Sequence, residues 1–325
     1  MMRIKKYKMN SSDCGFILIM VLVFLTLLSI MAFELSKAVS IESKMTLACK
    51  ERVLAYYIGR SGLQRAAAEL LKRAYIIDSK EFERRSFKLW IPDGREYTHD
   101  FSSGYSVIKV RDESGKINLN YFNTKIFKKL LKNLEVSTKD ADIIVDSLKD
   151  WLDSDKLKRL NGAEDDYYKK VNALYLPKNE RLESLEEALL IRGFSKKLFL
   201  EAKREVSVLW NFFTIYTKGE KINLNSAPKE VIQALPGMSE NLAGALVKFR
   251  KDKPFKDTGQ IKKIIGESIF FKVLPYITLN GQGIFEVISK GKLNEQDPGV
   301  TIRAIIEIFQ EGKHKDFRFL YIRQV

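Results

Sequence analysis

Six carboxylates, Asp150, Asp153, Asp155, Glu164, Asp165 and Asp166, fall within seventeen positions of the stretch DWLDSDKLKRLNGAEDDYYKK. Carboxylates gathered this closely repel one another unless something positive sits among them, and hard oxygen donors suit Ca²⁺ at about six to eight coordination. The stretch is not an EF-hand, because the turn glycine and terminal glutamate are not at the required positions. Lys156, Lys158 and Arg159 offer the other route to neutrality, through salt bridges. Residue chemistry alone leaves metal and salt bridge equally open. The two histidines, His99 and His314, are too few and too isolated to suggest a zinc site. Carboxylate pairs are abundant, yet nothing supplies a nucleophile with a base beside it, so the sequence points away from an enzyme.

A second stretch with chemical potential is LPGMSENLAGALVKFRKDKPFKDTGQI, which resembles a helix-hairpin-helix. In that module a turn with two glycines brings backbone amides to nucleic-acid phosphates, and lysines add charge. Here only Gly237 is present, Ser239 replaces the second glycine, and Glu240 stands where an anion would approach. A backbone nest closed by a carboxylate is a poor phosphate site. A net charge of +15 and a pI near 9.5 invite the nucleic-acid reading. The excess is spread through stretches that also carry many carboxylates, the pattern of a solvated surface. Structural use of the hairpin is therefore expected. Lys229, Lys248, Arg250 and Lys251 are the cations that would matter if it bound DNA.

These stretches need elements to hold them. Phe16 to Phe33 carries no charge and only Thr26 and Ser29 as polar groups, about the length a helix needs to cross a bilayer. Arg3, Lys5, Lys6 and Lys8 precede it, which holds that end in the cytoplasm and sends everything after residue 34 outside. Glu34 to Arg73 is rich in helix formers and has no proline, so one rod of about 50 residues is expected, interrupted if anywhere near Gly59 and Gly62. Alternating runs in EYTHDFSSGYSVIKVRDESGK, and later in IFEVISKGKL, VTIRAIIEIFQ and FRFLYIRQV, predict antiparallel strands that open and close the soluble part. Between them the pattern is helical from about Asn120 to Leu274. Within it GKINLNYFN at 115–123 recurs as EKINLNSAP at 220–228, which predicts two similar helical subdomains. Ile117, Leu119, Ile222 and Leu224 are expected in the core, with Asn120 or Asn225 capping the helix that comes next.

The apolar run comes after the charged leader. A signal-peptidase site, or a lipoprotein site on Cys14, would place it before. The abrupt Gly15-Phe16 border resembles the site cut by prepilin peptidase in the type IV pilin and pseudopilin superfamily. Cleavage there would leave Cys49 as the sole cysteine and lower the net charge to +12, with no intrachain disulfide. Where most pilins carry a glutamate at the fifth mature position, this chain has Met20. Such a subunit offers no partner to a neighbour's terminal amine, so it would fit best at one end of a filament.

DWLDSD and NGAEDDYY, then LPKNERLESLEEALLIRGFS and KINLNSAPKEVIQALPGMS, resemble the signature run of the general secretion pathway protein K family. These are the largest minor pseudopilins of the type II secretion system. The resemblance covers the leader, the missing glutamate and the chain to about residue 275. It implies an α+β pilin-like fold, with a long N-terminal helix packed on an antiparallel sheet and a large inserted helical region of two helix-hairpin-helix-like subdomains. The implied segments are a cleaved leader at 1–15 and an N-terminal helix at 16–75, transmembrane over 16–33. The sheet would be built from 76–116 and 276–325, and the helical subdomains would span 117–219 and 220–275. The resemblance further implies processing between Gly15 and Phe16 with methylation of Phe16, and calcium held by Asp153, Asp155, Glu164 and Asp165. The basic KLKRL at 156–160 departs from the expected loop and leaves the number of ions open. Implied partners are two smaller minor pseudopilins of a tip complex, the major pseudopilin, prepilin peptidase and the inner-membrane secretion platform. Its soluble part would lie in the periplasm. The alternative is a membrane-anchored DNA receptor of the competence type, which shares the span and the INLN-plus-hairpin sequence.

Overall fold

The computed structural model of the chain describes residues 11–78, 89–195, 208–312 and 314–325. Helix α1 (Ser11–Asp78) runs unbroken for 68 residues, past the expected end at 75. From Gly15 to Leu54 it is exposed throughout, and its most apolar window reaches a mean hydropathy of 3.0. From Ala55 onward one face is buried, with Ala55, Ile58, Leu63, Ala66, Ala67 and Leu70 at the three- and four-residue spacing of an amphipathic helix.

The expected interruption at Gly59 and Gly62 does not occur, because these glycines serve packing. A Cβ on Gly62 would stand 2.3 Å from Ser289 Oγ, and one on Gly291 would stand 2.0 Å from the carbonyl oxygen of Ala55. The helix therefore lies directly on the sheet backbone at this point, as only absent side chains allow.

That sheet begins with β1 (Asp93–Phe101) and β2 (Gly104–Asp112), a hairpin whose alternate residues Ser106, Ile108 and Val110 are buried. The chain then leaves the sheet for a helical insertion. Its first half opens with β3 (Ile117–Asn118), passes through α2 (Thr124–Asn133), α3 (Thr138–Leu152), α4 (Asp165–Lys170) and α5 (Val208–Phe212), and closes with β4 (Phe213–Thr214). The second half opens with β5 (Ile222–Asn223), passes through α6 (Lys229–Ala234), α7 (Glu240–Asp252), α8 (Thr258–Ile265) and α9 (Glu267–Val273), and closes with β6 (Ile277–Thr278). The sheet resumes with β7 (Ile284–Lys292), β8 (Val300–Glu311) and β9 (His314–Gln324), in antiparallel order β1-β2-β7-β8-β9. Asp112 pairs with Phe285, so the insertion leaves and rejoins the sheet at one place. Gly59 lies near Gly291 at the opposite end of β7, whereas Arg73 donates to the carbonyl of Trp90 beside Asp112. The insertion thus sits at the end of the rod remote from the apolar segment.

The repeated INLN is used the same way twice. Ile117–Asn118 pairs in parallel with Phe213–Thr214, and Ile222–Asn223 pairs in parallel with Ile277–Thr278. Leu119 N–H then donates to Thr214 O at 2.8 Å, and Leu224 N–H to Thr278 O at 3.0 Å. All four apolar residues of the motif are buried. The expected helix caps at Asn120 and Asn225 are not found. Asn123 caps α2, while Asn120 clamps both backbone groups of Leu182 and Asn225 holds Phe255 and Leu279. A side-chain amide has a donor and an acceptor side by side, so it can brace a distant loop as a strand neighbour would.

The junction of sheet and insertion is ionic and buried. Lys116 bonds to Glu113 and stands 3.0 Å from Glu286 of β7, and Arg303 Nε stands 2.9 Å from Glu286 Oε1 in ion-pair rather than hydrogen-bond geometry. Burial alone would raise Glu286, but Lys116, Arg303 and Arg111 together hold its pKa below the ordinary value. Burial pushes Glu113 up, with Glu286 adding to it against the attraction of Lys116.

In denaturant unfolding of the full chain in detergent, Gly291→Ala should cost about 1–3 kcal/mol or more through overpacking, whereas Gly59→Ala, whose Cβ would meet nothing closer than 3.3 Å, should be near neutral. Lys116→Met should cost about 3–5 kcal/mol by leaving the buried Glu113 without its cation, Glu286 keeping Arg303.

Candidate functional site

The acidic centre is built where α3 ends. Ser137 caps this helix by accepting from Asp140 N–H, and Ala141, Ile144, Val145, Leu148 and Trp151 bury its inner face. Asp150 shares that face and is fully buried. Its charge is met by Arg159, whose backbone N–H and guanidinium both donate to it, the latter at 2.7 Å. The same guanidinium reaches Asp153, the residue that ends α3. Gly162 is required by this fold-back, since a Cβ there would lie 1.8 Å from Asp150 Oδ2.

Glu164 occupies the N-cap position of α4 but makes no capping bond. It is only 4% exposed, and neither carboxylate oxygen has a hydrogen-bond partner. Burial pushes its pKa up to about 7, with the charges of Asp150, Asp153, Asp165 and Asp155 adding to the shift in that order. Asp153 Oδ1 is likewise buried without a partner. Asp153, Asp155 and Asp165, the other expected ligands, thus act on Glu164 through their charges. Asp150, left out of that set at the sequence level, is the strongest negative neighbour. Asp155 accepts from Leu157 N–H at 2.7 Å, and Asp165 stands 3.4 Å from Lys169. Asp166 is exposed. Among the described residues, no three His, Cys, Asp or Glu side chains form a ready metal-ligating array. The donor set is nonetheless all hard oxygen, and three buried carboxylate oxygens lack partners, which is the deficit a bound cation would fill.

The hairpin is used for packing. Gly237 adopts φ +75° between α6 and α7, and Ser239 caps α7. Lys129 of α2 donates to Leu235 O at 2.9 Å and Met238 O at 3.0 Å, so a cation from the first half closes the turn of the second. Of the four cations named for DNA contact, Arg250 is turned inward to Leu224 O and Ala227 O, where burial lowers its pKa to about 10. Lys229 is paired with Glu240 at 2.8 Å. Lys248 and Lys251 are exposed.

Gly15 and Phe16 lie within α1, both exposed, with nothing near the position a Gly15 Cβ would take. The leader expected at 1–15 lies, for residues 1–10, outside the described residues.

An apolar helix seated on an antiparallel sheet, with a helical insertion between neighbouring strands, defines the class as a pilin-like protein with a candidate membrane span. Residues 110–211 match the family model of type II secretion system protein K, first domain, and residues 217–278 match the helix-hairpin-helix motif. Type II secretion system protein K of Klebsiella pneumoniae is 28% identical over 204 residues, covering 59% of this chain and 61% of the relative. Protein K of Aeromonas hydrophila is 38% identical over 79 residues, 24% of each chain. The chain thus spans less than two thirds of the length of these relatives. The crystal structure of the GspK-GspI-GspJ complex from the enterotoxigenic Escherichia coli type 2 secretion system holds a chain of similar fold. Its TM-score is 0.64 at 17% identity, covering 86% of this chain and 99% of that one. In sequence and in fold the chain is similar to protein K of the type II secretion system.

The raised pKa of Glu164 sets a sign. In the metal-free protein its favourable contribution is fully present below the unfolded value of 4.5 and is lost as pH rises through about 7. The melting temperature of chelated protein should therefore fall between about pH 5 and 7, and Glu164→Gln should flatten that slope in thermal scans.

Proposed function

We propose that the chain is a minor pseudopilin of the type II secretion system, standing at the pseudopilus tip, where it initiates assembly and supports export across the outer membrane. The observation that carries this is the protein K match over 110–211 on a fold shared with GspK of the solved complex. In this reading α1 anchors the chain in the inner membrane and the sheet and insertion lie in the periplasm. Prepilin peptidase cuts after Gly15, Phe16 is methylated, and two smaller minor pseudopilins join it, as GspI and GspJ join GspK in the named complex. The major pseudopilin and the inner-membrane secretion platform complete the partner set.

The role is mechanical rather than catalytic, and stiffness is what a tip subunit needs. Asp153, Asp155, Glu164 and Asp165 would hold Ca²⁺, which supplies positive charge without hydrolytic or redox chemistry. Glu164 must lose its proton to take part, so affinity rises with pH through about 7. Drawing these carboxylates together ties the end of α3 to the start of α4 across the intervening loop. The DNA-receptor alternative is not favoured, because Arg250 and Lys229 are already engaged within the hairpin.

Mass spectrometry of the membrane-extracted protein should find a chain starting at N-methylated Phe16. An intact leader in a host with active prepilin peptidase would remove the pseudopilin reading. Calcium at about 100 times its Kd should stabilise the purified chain by about 2.7 kcal/mol. Chelator should reverse this, and Asp153→Ala with Asp165→Ala should abolish it. An unchanged melting temperature on chelation would sink the calcium reading.

A further inference from the structure

The carboxylates at 150–166 have two routes to neutrality, a bound cation or a salt bridge, and the folded chain offers both in one place. The salt bridge has an unusual form. A guanidinium presents its donors as a planar fork, suited to gripping one carboxylate through two parallel bonds. Arg159 instead uses a single nitrogen, Nη1, which donates to Asp150 Oδ1 at 2.7 Å and also to Asp153 Oδ2. Two carboxylates therefore converge on one positive point, as they do around a spherical ion. The backbone N–H of Arg159 reaches both oxygens of Asp150 as well, each at 3.3 Å. Asp150 is fully buried whereas the Arg159 side chain is 38% exposed, so the arginine meets the carboxylate from the solvent side.

The remaining donors of the centre are not reached by this cation. Asp153 Oδ1 and both oxygens of Glu164 are buried without a hydrogen-bond partner. Asp153 thus turns one oxygen to the position it shares with Asp150 and keeps the other among the unpartnered donors. The neighbouring basic side chains leave this arrangement alone. Lys156 and Lys158 are exposed, and Lys169 stands 3.4 Å from Asp165. Arg192 donates to the carbonyls of Asn161 and Gly162 and lies over the ring of Tyr167. Among the described residues, Arg159 is the basic group within ion-pair distance of Asp150 and Asp153.

We propose that Arg159 is a built-in cation filling one of two adjacent positive positions in the acidic centre, so that this chain takes a single divalent ion, on Asp153 and Glu164, and Asp150 is withheld from metal. This rests on the calcium reading given above. A guanidinium tethered to the chain has a local concentration that does not depend on the calcium in the medium. The tie between the end of α3 and the loop at Arg159 therefore persists without calcium, and only the tie to Glu164 depends on the ion.

The test counts calcium ions on the full chain in detergent, by native mass spectrometry and by isothermal titration. The parent should carry one ion. Arg159→Ala should carry two, because both oxygens of Asp150 and Oδ2 of Asp153 then lack a cation. Asp150→Asn with Arg159→Ala should return to one, and it leaves no charge at position 150 to unsettle the fold. In chelator Arg159→Ala should melt below the parent, since a buried carboxylate has lost its partner, and calcium should bring it back to the parent's level. A salt bridge of purely structural role gives one ion on both proteins and a melting loss that calcium does not restore, and either result overturns the proposal. Two ions on the parent, two on the double variant, or an Arg159→Ala chain that stays unfolded in calcium would overturn it too, while leaving the calcium reading in place. Only the absence of calcium from every variant and the parent removes both together.

Discussion

Everything beyond residue 55 is oriented by a close crossing of helix and sheet, in which Gly59 meets the backbone of Gly291 and Gly62 meets the side chains of Ser289 and Ser106. A Cβ at Gly291 would stand 2.0 Å from the carbonyl oxygen of Ala55 and 2.4 Å from the amide nitrogen of Gly59, so the approach depends above all on the missing side chain of Gly291. Because contact is this near, the register between rod and sheet is a matter of single residues rather than of general apolar attraction. It decides which end of the sheet faces away from the apolar segment, and hence where the insertion stands.

The second joint is electrostatic. Lys116, Glu113, Glu286 and Arg303 meet where the insertion leaves the sheet, on elements far apart in sequence. A buried charge cluster contributes little net stability compared with an apolar core, but any misplacement of the insertion would leave a charge unpaired. Neighbouring residues of β8 divide the apolar work: Ile305 joins the core of the insertion and Ile306 the core beneath α1. Period-two alternation thus lets one strand serve two cores on its two faces.

Within the insertion the duplicated motif shows one local solution supporting different tasks. Both copies bury isoleucine and leucine and use asparagine to brace a distant loop. Only the first continues into the acidic centre, and the second forms the hairpin whose turn Lys129 closes from the first. That contact makes the two halves one body, in keeping with a single continuous core.

The sequence alone determined the features written in local runs: the uncharged stretch from Phe16 to Phe33, the strand alternation at Ser106, Ile108 and Val110, the INLN duplication and the bunching of carboxylates at 150–166. Periodicity and composition act over a few residues, so they are legible without knowing what lies opposite. Tertiary structure decided what depends on a partner from elsewhere in the chain. Gly59 and Gly62 read as helix breakers until the sheet stood against them. Asn120 and Asn225 read as caps until Leu182 and Phe255 came within reach, and Arg250 stood as an exposed cation available to DNA only if the hairpin bound it, whereas two carbonyls claim it. At the acidic centre the cluster was visible as a set of residues. The depth of Asp150, its pairing with Arg159 and the isolation of Glu164 are products of burial, which exists only once the chain has folded around them.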